Sequence, residues 1–204
     1  EAGGVQWMTA GSGLVHAELS PEAFKREGGP LEILQLWVNL PPPLKMTEPR
    51  YTGVQRADIP ALSIAAGNGT LHLVSGEFGG ATGPIKSLTE VFMSWVELKA
   101  GAKAALQVEK GRHVFLYVVS GRVDIAGTPV DKFHLVELTD DDDSFVVGAA
   151  DDAVLLFGHA TPIDAPLVAH GPFVMNSEDE IRQAYADYRA GRFGDRANLI
   201  RANS

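Results

Sequence analysis

The chain has 204 residues, of which 45% are hydrophobic and 21% are charged, proportions that are typical of a globular protein and argue against disorder. Its 17 Lys and Arg against 26 Asp and Glu give a formal net charge of −9, and no basic run offers the clustered charge that nucleic-acid binding needs. The absence of cysteine excludes disulfides, cysteine-ligated metals and thiol catalysis. No apolar stretch approaches the ~20 residues of a membrane span, and we expect a cytoplasmic protein.

Short apolar runs of strand length, separated by turn residues, predict β-strands along most of the chain. The first run covers residues 5–8. Residues 31–40 carry apolar side chains on both alternating faces, which predicts a central strand buried on both sides. Ser120-Gly121 is predicted as a hairpin turn. The remaining predicted strands are 61–65, 70–74, 91–98, 104–108, 113–119, 122–125, 134–138, 144–149 and 153–158. Such a series of short strands with Gly-rich turns is typical of an all-β sandwich or barrel.

Two helices are predicted. Ser20-Pro21 begins a short one that Gly28 ends, and the capping box Ser177–Glu180 begins a longer one that ends near Gly191. Prolines between residues 41 and 60 interrupt any strand ladder and indicate a linker. We therefore divide the chain into a β segment (1–60), a complete β unit (61–168) and a C-terminal helix with its tail (169–204).

His16 and Glu18 are the best candidates for a chemical role. Residues i and i+2 of a strand project from the same face, about 6.5–7 Å apart, so both side chains could bind one ion. A His and carboxylate set with open positions suits Fe(II), and also Mn, Ni or Cu. The pair supplies only two ligands where a functional site needs three. The alternative is that His16 is a half-exposed strand histidine and Glu18 a solvated acid.

The other histidines favour structural or surface roles. His72 alternates with leucines, which predicts that it points to solvent. His113 and His134 lie beside strands and have no His or acidic partner at i±2 that would favour a metal site. His159 and His170 lie next to glycines, which predicts that they are in turns. The acidic run at residues 140–143 lacks the alternating spacing of a calcium loop and is interpreted as a solvated turn.

Several ordered blocks of the sequence strongly resemble the pirin family. Residues 5–13, running into His16-Ala17-Glu18, resemble its second metal motif. Residues 34–41 and 49–51 match the segment that follows that motif. Residues 171–176 and 187–194 are similar to the C-terminal signature of the family. The resemblance spans essentially the whole chain.

The resemblance implies a bicupin: two double-stranded β-helix barrels, with one divalent metal, usually Fe(II), in the N-terminal barrel. Pirins use an H-x-H pair and then the His and Glu of an H-x-E motif, so His16 and Glu18 would be the third and fourth ligands. No H-x-H occurs in these 204 residues, and we expect it upstream, with the first barrel incomplete here. The second barrel is expected to lack a metal, because Gln107, Glu109 and Val114 stand where a cupin carries ligands.

Some pirins are similar to quercetin 2,3-dioxygenases, so the resemblance implies an enzyme that opens a flavonol ring with O₂ at a mononuclear metal. Glu18 would then be both a ligand and the catalytic base. The binding partner of the protein would then be a small aromatic substrate. The alternatives are a regulatory binding module, such as a transcription cofactor or a modulator of metabolic enzymes with a protein partner, and a metal-free structural bicupin.

Overall fold

The computed structural model describes residues 2–17, 19–138 and 142–195, and it divides them into two compact units. Residues 2–7 with 52–162 form the first, and residues 8–51 with 163–195 form the second. Over the described residues as a whole, far more residues lie in strands than in helices, which confirms the expected all-β class. The three-part division at residues 60 and 168 stays a prediction.

In the described part of the chain two α-helices and eighteen strands follow one another, many of the strands only two or three residues long. The helices are α1 (Glu22–Glu27) and α2 (Glu178–Arg189). The strands are β1 (Val5–Thr9), β2 (Leu14–Val15), β3 (Arg50–Val54), β4 (Ala61–Ile64), β5 (Gly69–Ser75), β6 (Glu77–Phe78), β7 (Ala81–Thr82), β8 (Phe92–Leu98), β9 (Lys103–Gln107), β10 (His113–Ser120), β11 (Arg122–Ile125), β12 (Thr128–Asp131), β13 (Leu135–Leu138), β14 (Ser144–Ala149), β15 (Ala153–Ala160), β16 (Val168–His170), β17 (Phe173–Met175) and β18 (Gly194–Asp195).

The first unit is built from two antiparallel sheets. Six strands lie in the order β13-β10-β15-β8-β5-β4, and four lie in the order β12-β11-β14-β9. Alternate side chains of both sheets point into one shared apolar core, as the period of a half-buried strand requires. Its fully buried members include Leu71, Val96, Leu116, Leu155 and Phe157.

A second apolar cluster lies against the opposite face of the six-stranded sheet. Val54 and Ile59 pack there with Val74 and Met93 of the sheet, and Trp7 of β1 joins them. This cover means that central strands of the sheet are buried on both faces, which their sequence alone does not reveal.

The helices of the second unit follow the predicted capping rules in part. At α2 the Ser177 hydroxyl accepts the Glu180 N–H at 3.3 Å, and the Glu180 carboxylate accepts the Asn176 N–H at 2.9 Å. The Ser177 cap is therefore confirmed, although Glu180 reaches the N–H one residue before the cap and not that of Ser177 itself. The left-handed Gly191, whose φ is +67°, is also confirmed. At α1 the prediction for Ser20 was wrong: Pro21 precedes the helix and no side chain caps it.

The predicted central strand at residues 31–40 is wrong. The segment has no regular structure, and most of its apolar side chains are exposed, Trp37 by 61% and Ile33 by 65%. A strand needs a neighbour that completes its backbone hydrogen bonds, and none of the described strands pairs with this segment. The apolar pattern indicates that these side chains favour burial, but it does not show whether a neighbouring strand is present to pair with the segment.

The turn at Ser120-Gly121 also differs from its prediction. The strands on either side, β10 and β11, belong to different sheets, so the turn carries the chain from one sheet to the other and is not a hairpin. Gly121 has a φ of +79°, and a Cβ there would lie 2.5 Å from the Asp152 carbonyl oxygen. Glycine is needed at this crossing for both reasons.

We expect this 204-residue chain to self-associate through residues 31–40, because exposed apolar patches of this kind drive association. Light scattering across a micromolar concentration series should show a mass above that of the 21.8 kDa monomer. The double variant Ile33→Ser/Trp37→Ser should lower that mass. Leu167→Ser is the matched control, since Leu167 is also exposed and lies outside the segment. A monodisperse monomer of the unmodified chain would contradict the prediction.

Candidate functional site

His16 follows β2 directly, and a tight turn positions it. The Gly13 N–H donates to the Ala10 carbonyl at 2.9 Å, and the Ser12 N–H donates to the Thr47 carbonyl at 2.9 Å. These bonds fix residues 10–13 and lead the chain into β2. The His16 side chain is exposed, so an incoming ion could reach its imidazole. Glu18, the other predicted ligand, lies outside the described residues.

The described residues fit one part of a metal site. An exposed imidazole after a fixed turn suits a single nitrogen ligand. However, nowhere in the parts of the chain that the structure describes do three His, Asp or Glu side chains gather closely enough to hold one ion. The described residues alone therefore do not make a complete metal site.

The prediction for His72 was wrong. Its side chain is buried, with 5% exposed, because β5 is covered on both faces. The imidazole stacks on Trp95 of β8 with ring centroids 4.3 Å apart, and its Nε2 lies 3.5 Å from Glu97 Oε1. Burial lowers the pKa of His72, and the nearby Glu97 carboxylate partly opposes that effect. His72 is thus a core histidine that sequence alternation could not distinguish from a surface one.

His159 lies at the end of β15, within a strand and not in the turn that its neighbour Gly158 suggested. Its ring stacks on Phe92 with centroids 4.5 Å apart. The guanidinium of Arg112, itself buried, donates from Nε to His159 Nδ1 at 2.7 Å and from Nη2 to the Glu90 carbonyl at 2.6 Å. Burial and the neighbouring positive charge of Arg112 lower the pKa of His159 to about 4.

The neutral His159 is therefore one member of a clamp. Because Nδ1 accepts from Arg112, the proton of the neutral imidazole sits on Nε2. Arg112 joins the end of β15 to the segment before β8, where Glu90 adopts a φ of +52°. The arrangement is one that holds strands together. Nothing in the sequence spacing pointed to it, since Arg112 and His159 are 47 residues apart.

The remaining histidines lie at the surface. His113 begins β10 and His170 ends β16, where His170 Nδ1 lies 3.0 Å from the Tyr185 hydroxyl. His134 Nδ1 lies 3.2 Å from the carbonyl oxygens of Asp131 and Lys132. The predicted acidic turn at residues 140–143 falls partly outside the described residues, which omit 140 and 141.

The first unit corresponds to the second barrel, which is expected to lack a metal. The residues at its three cupin ligand positions do not face a common point. Val114 points into the apolar core, whereas Gln107 is exposed and Glu109 projects into solvent. Phe92 and Phe157 fill the space between the sheets. These contacts support the interpretation of this barrel as metal-free, which stays a prediction.

Comparison with known proteins identifies the fold family. Residues 93–194 match the model of the pirin C-terminal cupin domain, and residues 1–38 match that of pirin. A Pseudomonas aeruginosa protein, provisionally named a quercetin 2,3-dioxygenase, is 39% identical over 191 residues, which cover 94% of this chain and 67% of the relative. Pirin of Homo sapiens is 36% identical over 200 residues, which cover 94% and 66%.

The chain belongs to the pirin family. Its fold agrees with the crystal structure of quercetin 2,3-dioxygenase from Acinetobacter baumannii, with a TM-score of 0.86 and 30% identity over 94% of this chain and 67% of that one. The expected pirin resemblance and cupin fold are thus confirmed. This pirin spans about two thirds of the length of its curated relatives. No helix in the described part of the chain is long and apolar enough to cross a membrane.

Proposed function

We propose that this pirin contributes His16 and Glu18 to a mononuclear metal site at which a quercetin-like flavonol is oxidised by O₂. The observation that carries the proposal is an exposed imidazole, held directly after a fixed turn, in a chain 39% identical to a protein provisionally named for that reaction. The expected metal is Fe(II), and further ligands beyond these two would complete its coordination.

A bound divalent metal would supply Lewis-acid polarisation, which lowers the pKa of a coordinated hydroxyl group. The residues of this chain then have separate tasks. His16 would supply a nitrogen ligand, held by the turn that precedes it. Glu18 is a carboxylate ligand that can also accept the proton of the substrate hydroxyl. Both tasks need the two side chains to project from the same face of the chain.

A regulatory binding module is the second candidate function. The exposed apolar segment 31–40 and the net charge of −9 favour a protein partner over a nucleic acid.

The test uses the full-length protein, loaded with Fe(II), and the variants His16→Ala and Glu18→Ala. Each variant should bind metal at least 10–100-fold more weakly, since even loss of a group outside the ligand sphere costs this much, and oxygen consumption with quercetin should vanish in both. Metal content is measured by elemental analysis. His113→Ala is the control, because His113 is also exposed but outside the motif.

The outcomes separate the candidate functions. Metal binding without turnover across a flavonoid panel, with partner binding retained in both variants, would favour the regulatory module. If the full-length protein contains no near-stoichiometric metal, the metal-free structural bicupin is the interpretation that remains.

A further inference from the structure

The strand that leads to His16 has a partner from the far end of the chain. β2 contains only Leu14 and Val15, and it pairs in parallel with Gly194 and Asp195 of β18. Among the described strands β18 is the only one that pairs with β2. Two residues cannot form a stable strand alone, so the backbone of β2 depends on this pairing for its order.

Side-chain packing strengthens the same attachment. The ring of Phe193 lies directly against Gly13, so that a Cβ at Gly13 would collide with it. Gly13 also has a φ of +126°, a conformation that glycine adopts without strain. Glycine at position 13 therefore leaves room for the Phe193 ring and also adopts the backbone conformation of the turn.

Phe193 is in turn fixed by other aromatic rings. It lies edge-to-face against Phe173 of β17, with centroids 5.9 Å apart, and against Tyr188 of α2, with centroids 5.7 Å apart. Arg192 beside it pairs with Asp187 at 2.6 Å. The C-terminal segment that contacts β2 is thus itself held in place by α2 and β17.

From these contacts we infer that residues 193–195 are a positioning element for the metal motif. The ring of Phe193 and the backbone of β18 hold residues 13–15 in place, and they thereby fix the direction in which His16 leaves the strand. This role rests on the proposed metal function of His16, although the attachment itself does not. A ligand held in one geometry binds an ion more tightly than one on a disordered segment, because less conformational entropy is lost.

The test compares two C-terminal truncations of the full-length protein, one ending at Arg192 and one ending at Asp195. The first removes Phe193 and β18, and the second keeps them. Two quantities are measured: hydrogen exchange at the amides of residues 11–17 without metal, and the affinity for Co(II), followed by its absorption spectrum. Phe193→Ala and Phe193→Leu form a second pair, in which leucine retains apolar contact with Gly13.

We expect the truncation at Arg192 to raise exchange over residues 11–17 and to weaken Co(II) binding, each about tenfold or more. The truncation at Asp195 should leave both unchanged, and Phe193→Leu should restore most of what Phe193→Ala loses. Exchange of the β8 and β15 amides should stay constant in all variants, which checks that the first unit remains folded.

Three results would overturn the proposal, and they differ from one another. Unchanged exchange in the shorter chain would show that the segment does not depend on β18. Faster exchange with unchanged Co(II) affinity would show that the attachment does not position the ligand, while the proposed metal function would stand. Lack of Co(II) binding in the parent protein would refute the metal function and the positioning role together.

Discussion

Replacing Phe157 with alanine is expected to lower the free energy of unfolding by about 3–5 kcal/mol, the cost typical of removing a large core side chain. Phe157 is fully buried, and its ring contacts those of Phe92 and Phe145, with centroids 5.1 and 5.7 Å away. The substitution leaves a cavity between the two sheets, which the surrounding aromatic rings can only partly close. The loss is measured by urea denaturation.

Two further variants make this result interpretable. Phe157→Leu should lose less than Phe157→Ala, because it leaves a smaller cavity. Phe133→Ala removes the same ring from an exposed position and should change stability by about 0.5 kcal/mol or less. Equal losses for Phe157→Ala and Phe133→Ala would contradict the view that side-chain packing fills the interior of the first unit.

Acid is expected to destabilise the protein through His159. Its folded pKa of about 4 lies below the usual value near 6.5, so between these pH values the unfolded chain binds a proton that the folded chain excludes. Stability therefore falls as the pH is lowered through this window, with a slope of at most about 1.4 kcal/mol per pH unit. Partial solvent exposure of the ring makes the actual slope smaller. Chemical denaturation at a series of pH values measures it.

His159→Asn isolates this effect from other titrations. The asparagine side chain can still accept the Arg112 Nε–H but does not titrate. The stability of the His159→Asn variant should therefore change less between pH 6.5 and 4 than that of the parent. His113→Asn, at an exposed position, should keep the original slope. His72 shifts in the same direction and is present in every variant, so its contribution cancels. A slope that is identical in His159→Asn and the parent would exclude the Arg112–His159 clamp as its source.

Strands with clear alternation could be predicted from sequence, whereas those that depend on a distant partner could not. β14 and β15 have enough residues for their apolar pattern to be visible. β16, β17 and β18 have only two or three, too few for any period, and exist because a neighbouring strand completes their hydrogen bonds. Residues 31–40 show the reverse case, in which the pattern is strong but the described strands offer no partner.

The candidate site was predictable only where the motif itself carries the chemistry. His16 and Glu18 stand out through their spacing and the family resemblance, and they stay a prediction. His72 was assigned to the surface because its neighbours alternate, although Val54 and Ile59 cover that face of the sheet. The pairing of Phe193 with Gly13 is equally invisible in sequence, since nothing local links positions 180 residues apart.

The parallel pairing of β2 with β18 has a consequence for how the protein forms on the ribosome. Leu14 leaves the exit tunnel long before Gly194, and synthesis proceeds at about 5–20 residues per second. The early segment that carries His16 must therefore wait on the order of ten seconds or more for its partner, while the strands between them can already fold. A contact of such long sequence separation also forms late on entropic grounds. The imidazole should consequently acquire its final orientation only after residues 194 and 195 have emerged and paired with β2.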